Sequence, residues 1–313
     1  MNEKRLSFPL LITAFKIFVS VGSLAFLVNY FLFKFPDDSD ITTIFSTRPE
    51  IIPVLLICGA INWALESYKW KILIAPCEHI TLKNAFKGVI SGVTIGLFTP
   101  NRMGEYAGRL WFTKDKTASV TATIAGNICQ LTITLLFGFW GIWMLPSISL
   151  FFTNHAWLPL FMSMLIALGG LILLLGKFIL KTLEKRNISF LKKPLTTWKS
   201  INPSLWWKSL LISTLRYLFF WIPFAWLLLG LYDLELSSLI WIVPVTYFIQ
   251  AFVPTFAIAE AGTRAITISW VASLNGLDPN PAIMASLIIW LVNVILPSFI
   301  GLIFIWKIPT KAL

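Results

Sequence analysis

Charged side chains are scarce in this sequence of 313 residues. Asp, Glu, Lys and Arg make up 12% of the chain, whereas about 25% of an ordinary soluble domain is charged. The segment 117–176 contains no charged residue. With 57% hydrophobic residues and a mean hydropathy of +0.81, the chain has too little polar surface for a water-soluble fold. We therefore expect an integral membrane protein, without a separate soluble catalytic domain.

Side chains that bind metals or act as nucleophiles are scarce as well. The three cysteines are odd in number and lack C-x-x-C spacing, so free structural thiols are expected. The two histidines lie far apart in predicted loops and have no neighbouring ligand pattern. The sequence therefore predicts no metal, no cofactor and no catalytic residue. These five residues are Cys58, Cys77, Cys129, His79 and His155.

Apolar segments of the right length predict the membrane spans. A helix needs about 20 apolar residues to cross about 30 Å of hydrocarbon. Two further apolar stretches, 88–112 and 237–275, contain charges and helix breakers. The predicted fold class is an all-α polytopic membrane protein with six full transmembrane helices and two opposed re-entrant helical hairpins. The six predicted spans are 10–33, 51–68, 118–145, 157–177, 209–230 and 282–306.

The distribution of basic residues predicts the orientation. In this arrangement the cytoplasmic loops hold eighteen Lys and Arg residues and the outer loops hold two, Lys34 and Arg48. The positive-inside rule then places both termini in the cytoplasm. This asymmetry accounts for the net charge of +11, so no nucleic-acid partner is expected. The basic loop 181–208 is expected to contact anionic lipids at the cytoplasmic face, and oligomerisation is left open.

The two interrupted stretches share a pattern, "GLFTPNRMGEYAGR" at 96–109 and "QAFVPTFAIAEAGTR" at 250–264. Each has a proline, then a glutamate, a glycine, and an arginine four residues after the glutamate. With three spans in each half, the second copy is inverted, so one transmembrane domain, 1–313, contains pseudo-repeats of about 1–150 and 151–313. Inverted repeats with broken helices are typical of transporters. We expect the two hairpin tips to meet near the membrane midplane.

The charged residues of these tips are the predicted substrate site. A charge in hydrocarbon is costly unless it is paired or lines a wet cavity. The glutamates and arginines stand at i and i+4, so each pair can form a salt bridge within its helix. Two interpretations stay open: the pairs only neutralise each other, or they face a shared cavity that binds an anionic headgroup. The predicted substrate-binding residues are Arg102, Glu105, Arg109, Glu260 and Arg264, and the predicted hairpin-breaking residues are Pro100, Gly104, Pro254 and Gly262.

Other polar residues in apolar segments have simpler interpretations. Arg102 has no acidic neighbour at i±4, which favours it as a free anion ligand. Glu66 and Lys69, at the polar end of the second span, are interpreted as part of an interfacial belt with a snorkelling lysine. Arg216 is also expected to snorkel. Residues 127 and 130, Asn and Gln, are expected to form hydrogen bonds between helices.

The first tip resembles a motif of the lysylphosphatidylglycerol synthase membrane region and of related stand-alone flippase-like proteins of the YbhN type. Members show Pro-x-Arg-x-Gly-Glu-x-x-Arg, matched here by Pro100, Arg102, Gly104, Glu105 and, one position late, Arg109. The resemblance implies a flippase-like activity on a phospholipid or polyprenyl lipid in the bacterial inner membrane. Because the aminoacyl-transferase domain of the full synthases is absent, it does not imply lipid aminoacylation.

The leading hypothesis is a transporter without its own ATPase. It would move an anionic or amino-modified phospholipid, or a polyprenyl-phosphate-linked lipid, between leaflets. The alternatives are an accessory subunit or enzyme of lipid-linked glycan or phospholipid modification, and a small-solute secondary transporter. Glu105 and Glu260 are the only candidate general bases, which favours transport over catalysis.

Overall fold

The computed structural model describes residues 48–99, 102–144, 189–253, 259–274 and 276–307, together with a few isolated positions before residue 48. Regular structure within these residues is helical, with no strand. The predicted span 157–177 and both chain termini lie outside the described residues, as do Pro100 and Pro254, and only isolated positions of the predicted span 10–33 are described.

Four of the described helices are long and apolar enough to cross a membrane. They are Ile51–Ile74, Lys116–Trp143, Pro203–Tyr232 and Pro279–Trp306, about 36–45 Å long at about 1.5 Å per residue. In chain order the helices are α1 (Ile51–Ile74), α2 (Leu82–Leu97), α3 (Gly104–Leu110), α4 (Lys116–Trp143), α5 (Ser189–Ser200), α6 (Pro203–Tyr232), α7 (Leu236–Leu239), α8 (Ile242–Gln250), α9 (Glu260–Ser273), α10 (Pro279–Trp290) and α11 (Leu296–Trp306), with a π-helical turn, Leu291–Ile295, between the last two.

The long helices agree with four predicted spans, with two differences at their ends. The span predicted at 51–68 continues to Ile74, and the charges of Glu66 and Lys69 near its predicted end pair with each other inside the protein. The segment 181–208, predicted as a loop, is helical in its described part apart from a short break at residues 201–202. Its helix α5 packs on α4, and Lys193 of α5 lies 3.1 Å from the Asp115 carboxylate.

Local capping explains where several helices begin. In four helices, a side-chain oxygen of the residue before the helix accepts a hydrogen bond from a backbone N–H two or three residues later. The bond gives a partner to one of the N–H groups of the first turn, which have none within the helix. Proline follows the cap in two of them, where its fixed φ suits the first helical position. The capping residues are Thr81 for α2, Asp115 for α4, Asn202 for α6 and Asp278 for α10.

Helices α2 and α3 pack antiparallel and form the first helix pair. Their backbones approach closely because glycines face each other. A Cβ at Gly108 would lie 2.2 Å from the Gly92 nitrogen, and one at Gly104 would lie 2.4 Å from the carbonyl carbon of Ile95. Small residues permit this close contact between apolar helices.

Helices α8 and α9 form the second helix pair. The Gln250 amide donates to the Thr267 hydroxyl at 2.8 Å, and Arg264 donates to the Tyr247 hydroxyl at 3.0 Å. Helix α8 lies against the last turns of α4, where a Cβ on Gly138 would meet the ring of Phe248 at 2.4–2.8 Å.

The two helix pairs start from opposite ends of the bundle. At one end the chain after α1 meets the start of α4, where the Glu78 carboxylate accepts hydrogen bonds from the backbone of Lys114 and Asp115 at 2.8–3.0 Å. The first pair begins there. At the other end, Tyr232 donates to the Asp278 carbonyl, and the second pair lies between these residues in sequence. Each pair therefore runs inward from its own end.

Apolar packing holds α1 against α2 and α4 beside the first helix pair. Trp70 is fully buried there, with Leu73, Val89 and Ala122 in the same cluster. The Trp70 indole N–H donates to the Ser119 carbonyl at 3.4 Å. As predicted, all three cysteines are free thiols.

Candidate functional site

Glu66 of α1 lies at the centre of a buried group of charges. It is 3% exposed and has a cation within 3 Å on both carboxylate oxygens. Its Oε1 lies 2.8 Å from Arg109 Nη2, and its Oε2 lies 2.8 Å from Lys69 Nζ and 2.6 Å from Arg216 Nη1. We call these four residues the Glu66 cluster. Three cations share one carboxylate, so the cluster carries a formal charge of +2.

The position of Arg109 corrects one prediction. Arg109 was expected to pair with Glu105 within its own helix, but it pairs with Glu66 of α1 instead. The reason is the glycine contact between α2 and α3, which sets the rotation of α3. Arg109 thereby faces α1 and α4, where it also donates to the Thr123 hydroxyl at 3.3 Å.

The interpretation of Glu66, Lys69 and Arg216 as interfacial residues is also wrong. Lys69 is 1% exposed, so its ammonium does not reach water as a snorkelling lysine would. Arg216 reaches Glu66 across the bundle. The sequence did carry a signal for this site, because Glu66 stands within an apolar span, and an ionisable residue in such a segment is by default a functional candidate.

Neutral side chains fix the Arg216 guanidinium. Its Nε donates to Asn62 Oδ1 at 3.0 Å and its Nη1 to Gln130 Oε1 at 2.8 Å. The guanidinium also lies over the Trp63 ring, 5.8 Å from the centroid. The predicted hydrogen bonds between helices are confirmed for Gln130, and also for Asn127, which donates to the Tyr106 hydroxyl at 3.4 Å.

A second group of charges joins the two helix pairs. Arg102, just before α3, donates through Nε and Nη2 to Glu260 Oε2 of α9, at 2.9 and 2.6 Å. Arg102 also lies 3.6 Å from Glu105, and Arg264 binds the other oxygen of Glu260. These four residues are the tip cluster, with a formal charge of zero. The predicted Glu260–Arg264 pair is confirmed, whereas the prediction of an unpaired Arg102 is wrong because its acidic partners lie at i+3 and on another helix.

The backbone at the first tip is held by local contacts. Arg102 has a φ of 55°, in the left-handed region that a non-glycine residue seldom adopts. The Gly104 N–H donates to the Thr99 hydroxyl at 2.7 Å. Gly104 is the first residue of α3, as a hairpin-breaking residue should be. Gly262 lies inside the first turn of α9, so it does not itself break the helix.

A cavity of about 200 Å³ lies beside both clusters. Three arginines line it, Arg102, Arg216 and Arg264. Of the predicted substrate-binding residues, Arg102 and Arg264 therefore reach the cavity. Glu105 and Glu260 pair with them, and Arg109 is connected to Arg216 through Glu66. Planar, always-charged guanidinium groups suit oxyanions, which they bind through parallel hydrogen bonds.

The sequence matches one protein-family model, described as the lysylphosphatidylglycerol synthase TM region, over residues 13–301. The chain belongs to this family. The match contains all four membrane-length helices up to residue 301, both helix pairs and every member of the two charge clusters. Searches of curated proteins and of solved structures found no match.

Membership of the lysylphosphatidylglycerol synthase TM region family, together with the four long apolar helices, makes the chain an integral membrane protein related to membrane lipids. Within the described residues no three His, Cys, Asp or Glu side chains come together in a metal-binding group. What the described residues offer at the cavity is a set of arginines that can hold an oxyanion.

Proposed function

We propose that the chain is a lipid translocator without its own ATPase, which moves a lipid with a phosphate-containing headgroup between leaflets. The observation that carries this proposal is the cavity lined by Arg102, Arg216 and Arg264. It lies beside the ion pairs that join helix pairs from opposite ends of the bundle. In a lipid-related membrane family, such a cavity suits a polar headgroup whose acyl or prenyl chains stay in the bilayer.

The proposal includes a membrane arrangement. We infer that the two helix pairs are the opposed re-entrant hairpins of an inverted repeat, with pseudo-repeats of about 1–150 and 151–313. Their longest members, α2 and α9, are about 24 and 21 Å long at about 1.5 Å per residue, which is shorter than about 30 Å of hydrocarbon. The excess of basic residues in the predicted cytoplasmic loops supports a position in the bacterial inner membrane with both termini on the cytoplasmic side.

The tip cluster offers a way to couple headgroup binding to opening. Glu260 is shared by Arg102 and Arg264, one from each helix pair. A phosphate that binds these arginines competes with Glu260 and weakens the link between the tips. The two pairs can then separate on one side or the other, as alternating access around a fixed site requires.

Transport is a better explanation than catalysis because of the ion pairs of the candidate bases. Glu260 contacts two arginines, and Glu105 lies 3.6 Å from Arg102. A general base must be free to contact the proton that it removes, whereas the carboxylates of both glutamates already face guanidinium groups. These glutamates are better suited to orient arginines and to neutralise the empty site.

Lipid movement in proteoliposomes tests the proposal. Purified protein is reconstituted with a trace of phosphatidic acid, a phosphate monoester, or of phosphatidylglycerol, a phosphodiester, each fluorescently labelled on an acyl chain. Dithionite quenching follows exchange of each lipid between leaflets. Arg264→Lys keeps the charge but loses the planar fork, so we expect at least tenfold slower exchange. Arg48 lies outside the cavity, so the Arg48→Lys variant should exchange lipid at the rate of the unmodified protein.

Folding of both variants is checked by size-exclusion chromatography and by the midpoint of thermal unfolding. The proposal is wrong if the unmodified protein moves lipid no faster than protein-free vesicles. The assignment of the site is wrong if folded Arg264→Lys matches the unmodified protein.

A further inference from the structure

The two charge clusters together have more cations than anions. Four arginines and Lys69 face three glutamates, Glu66, Glu105 and Glu260. These three are the only carboxylates within the four long helices and the two helix pairs that the structure describes. The formal charge of the two clusters together is therefore +2. Uncompensated charge in a membrane interior is costly, so the charge excess indicates an anion that completes the site.

The excess positive charge belongs to the Glu66 cluster, which includes Arg216. The tip cluster is balanced, whereas the Glu66 cluster has three cations around one carboxylate whose two oxygens are already engaged. Lys69 and Arg109 are buried behind Glu66, and Arg216 is the member of this cluster that lines the cavity. An anion beside Arg216 would be attracted by the whole cluster, because charges interact strongly where water is excluded.

A second observation at the same place is independent of charge. Tyr217, next to Arg216, is 3% exposed and lines the cavity. Its hydroxyl has no hydrogen-bond partner among the described residues. Its ring is stacked on Phe137, with centroids 4.3 Å apart, so the hydroxyl cannot simply turn away. A buried hydroxyl normally has a partner. The hydroxyl is shielded from the empty cavity, so a ligand oxygen would reach it only after a small movement of the neighbouring side chains on binding.

We propose that the cavity takes a terminal lipid phosphate that carries at least two negative charges, either a phosphate monoester or a diphosphate. It takes this group in preference to a monoanionic phosphodiester or an aminoacylated headgroup. This inference rests on the proposed function and narrows its substrate. Two negative charges balance the excess of +2, and an ammonium group would meet three guanidinium groups instead. The volume of about 200 Å³ is below the roughly 300–1,000 Å³ of drug-sized sites, so it suits the headgroup alone.

Binding to the purified full chain in detergent tests the charge preference. The probes are farnesyl monophosphate and its methyl ester, which have the same tail but two charges and one charge at pH 8. We expect the monophosphate to bind at least tenfold more tightly at pH 8. Because the second pKa of a phosphate monoester is about 6, this advantage should disappear at pH 5. The methyl ester reports any change in the protein itself. Equal affinities at pH 8 would overturn the inference.

Inorganic pyrophosphate and farnesyl diphosphate distinguish a free anion from a lipid headgroup. We expect the lipid-linked diphosphate to bind at least tenfold more tightly, because its tail remains in the apolar surroundings of the cavity. If pyrophosphate alone binds equally well, the ligand is a free anion and the lipid part of the inference is wrong.

Tyr217→Phe tests the hydroxyl, with Tyr68→Phe as a control at an exposed position outside the cavity. Tyr217→Phe removes no hydrogen bond within the described protein, so the midpoint of thermal unfolding should not fall. The dissociation constant of farnesyl monophosphate should rise about tenfold, as expected for a hydrogen bond to a charged group. Unchanged affinity in Tyr217→Phe would contradict a ligand at this hydroxyl.

The binding and transport measurements test the two proposals separately. If the dianionic probe is preferred but no lipid moves in proteoliposomes, translocation is wrong and the headgroup preference stands. If monoanionic lipids move and the two farnesyl probes bind equally, translocation stands and the dianion preference is wrong.

Discussion

Glu66 is the residue on which charges from three helices converge. Its carboxylate holds Lys69 of its own helix, Arg109 of α3 and Arg216 of α6. Loss of one partner from a buried ion pair is expensive, because the remaining charge keeps its desolvation cost without compensation. In this cluster a single carboxylate compensates three cations, so its removal has a larger effect than removal of any one cation.

Glu66→Gln should therefore destabilise the fold strongly. We expect a loss of about 3–5 kcal/mol in the free energy of unfolding, the range for a broken buried pair. The matched control is Glu50→Gln at an exposed position before α1, where surface substitutions change stability by less than about 0.5 kcal/mol. Reversible unfolding in mixed detergent measures both. Equal stabilities would mean that Glu66 does not hold the cluster together.

The first helix pair depends on glycine at its contact. Gly92, Gly104 and Gly108 bring the backbones of α2 and α3 together, and this contact turns Arg109 towards Glu66. A methyl group at Gly108 would lie 2.2 Å from backbone nitrogen, and backbone cannot move aside as a flexible side chain can. The contact between these two helices is therefore a condition for the Glu66 cluster.

Gly108→Ala and Gly230→Ala should have different effects on stability. At Gly230 of α6 the nearest atom to a new Cβ is 3.6 Å away, so alanine fits and adds helix propensity of up to about 1 kcal/mol. At Gly108 overpacking should cost about 1–3 kcal/mol or more. Thermal unfolding measures both, and lipid exchange should slow only in Gly108→Ala. A stabilised Gly108→Ala protein would contradict the described contact.

Asp115 links α4 to α5 and gives stability a dependence on pH. The backbone N–H of Ala118 and then Lys193 lower the pKa of its carboxyl. A lowered pKa in the folded state stabilises the protein above the unfolded pKa of about 3.9, and this stability is lost as pH falls through the folded value.

Asp115→Asn retains the helix cap and removes the charge. At pH 7 we expect a loss of less than about 1 kcal/mol, because Lys193 is well exposed and surface pairs are weak. The difference between variant and unmodified protein should shrink as pH falls below about 4. Lys193→Gln should lower stability at pH 7 through the same pair. A difference that grows towards low pH would contradict the sign of the pKa shift.

At the scale of the whole molecule, opposed helix pairs meet at charged tips. The first helix pair starts at the end of the bundle where Glu78 accepts a hydrogen bond from the start of α4. The second helix pair starts at the other end, where Tyr232 donates to Asp278. In the proposed orientation the first end faces the cytoplasm and the second faces outward. Cys77 is exposed near the first end and is therefore a natural probe of orientation.

An impermeant maleimide should not label Cys77 in intact cells but should label it after permeabilisation. The background carries Cys58→Ala and Cys129→Ala, so that only one thiol reacts. In a background that also carries Cys77→Ser, a cysteine introduced by Asp233→Cys should be labelled in intact cells. Labelling of Cys77 from outside would reverse the proposed topology.

The sequence alone determined the membrane class, the four described spans and the charged tips, because hydropathy and spacing act locally. It also predicted the Glu260–Arg264 pair, which lies within one helix at i and i+4. Glu66, Lys69 and Arg216 were assigned to an interface, since their burial depends on residues up to 150 positions away. Only the tertiary structure decided which carboxylate each arginine binds. That choice follows from helix rotation and close glycine contacts, which bring distant segments together and which no local pattern records.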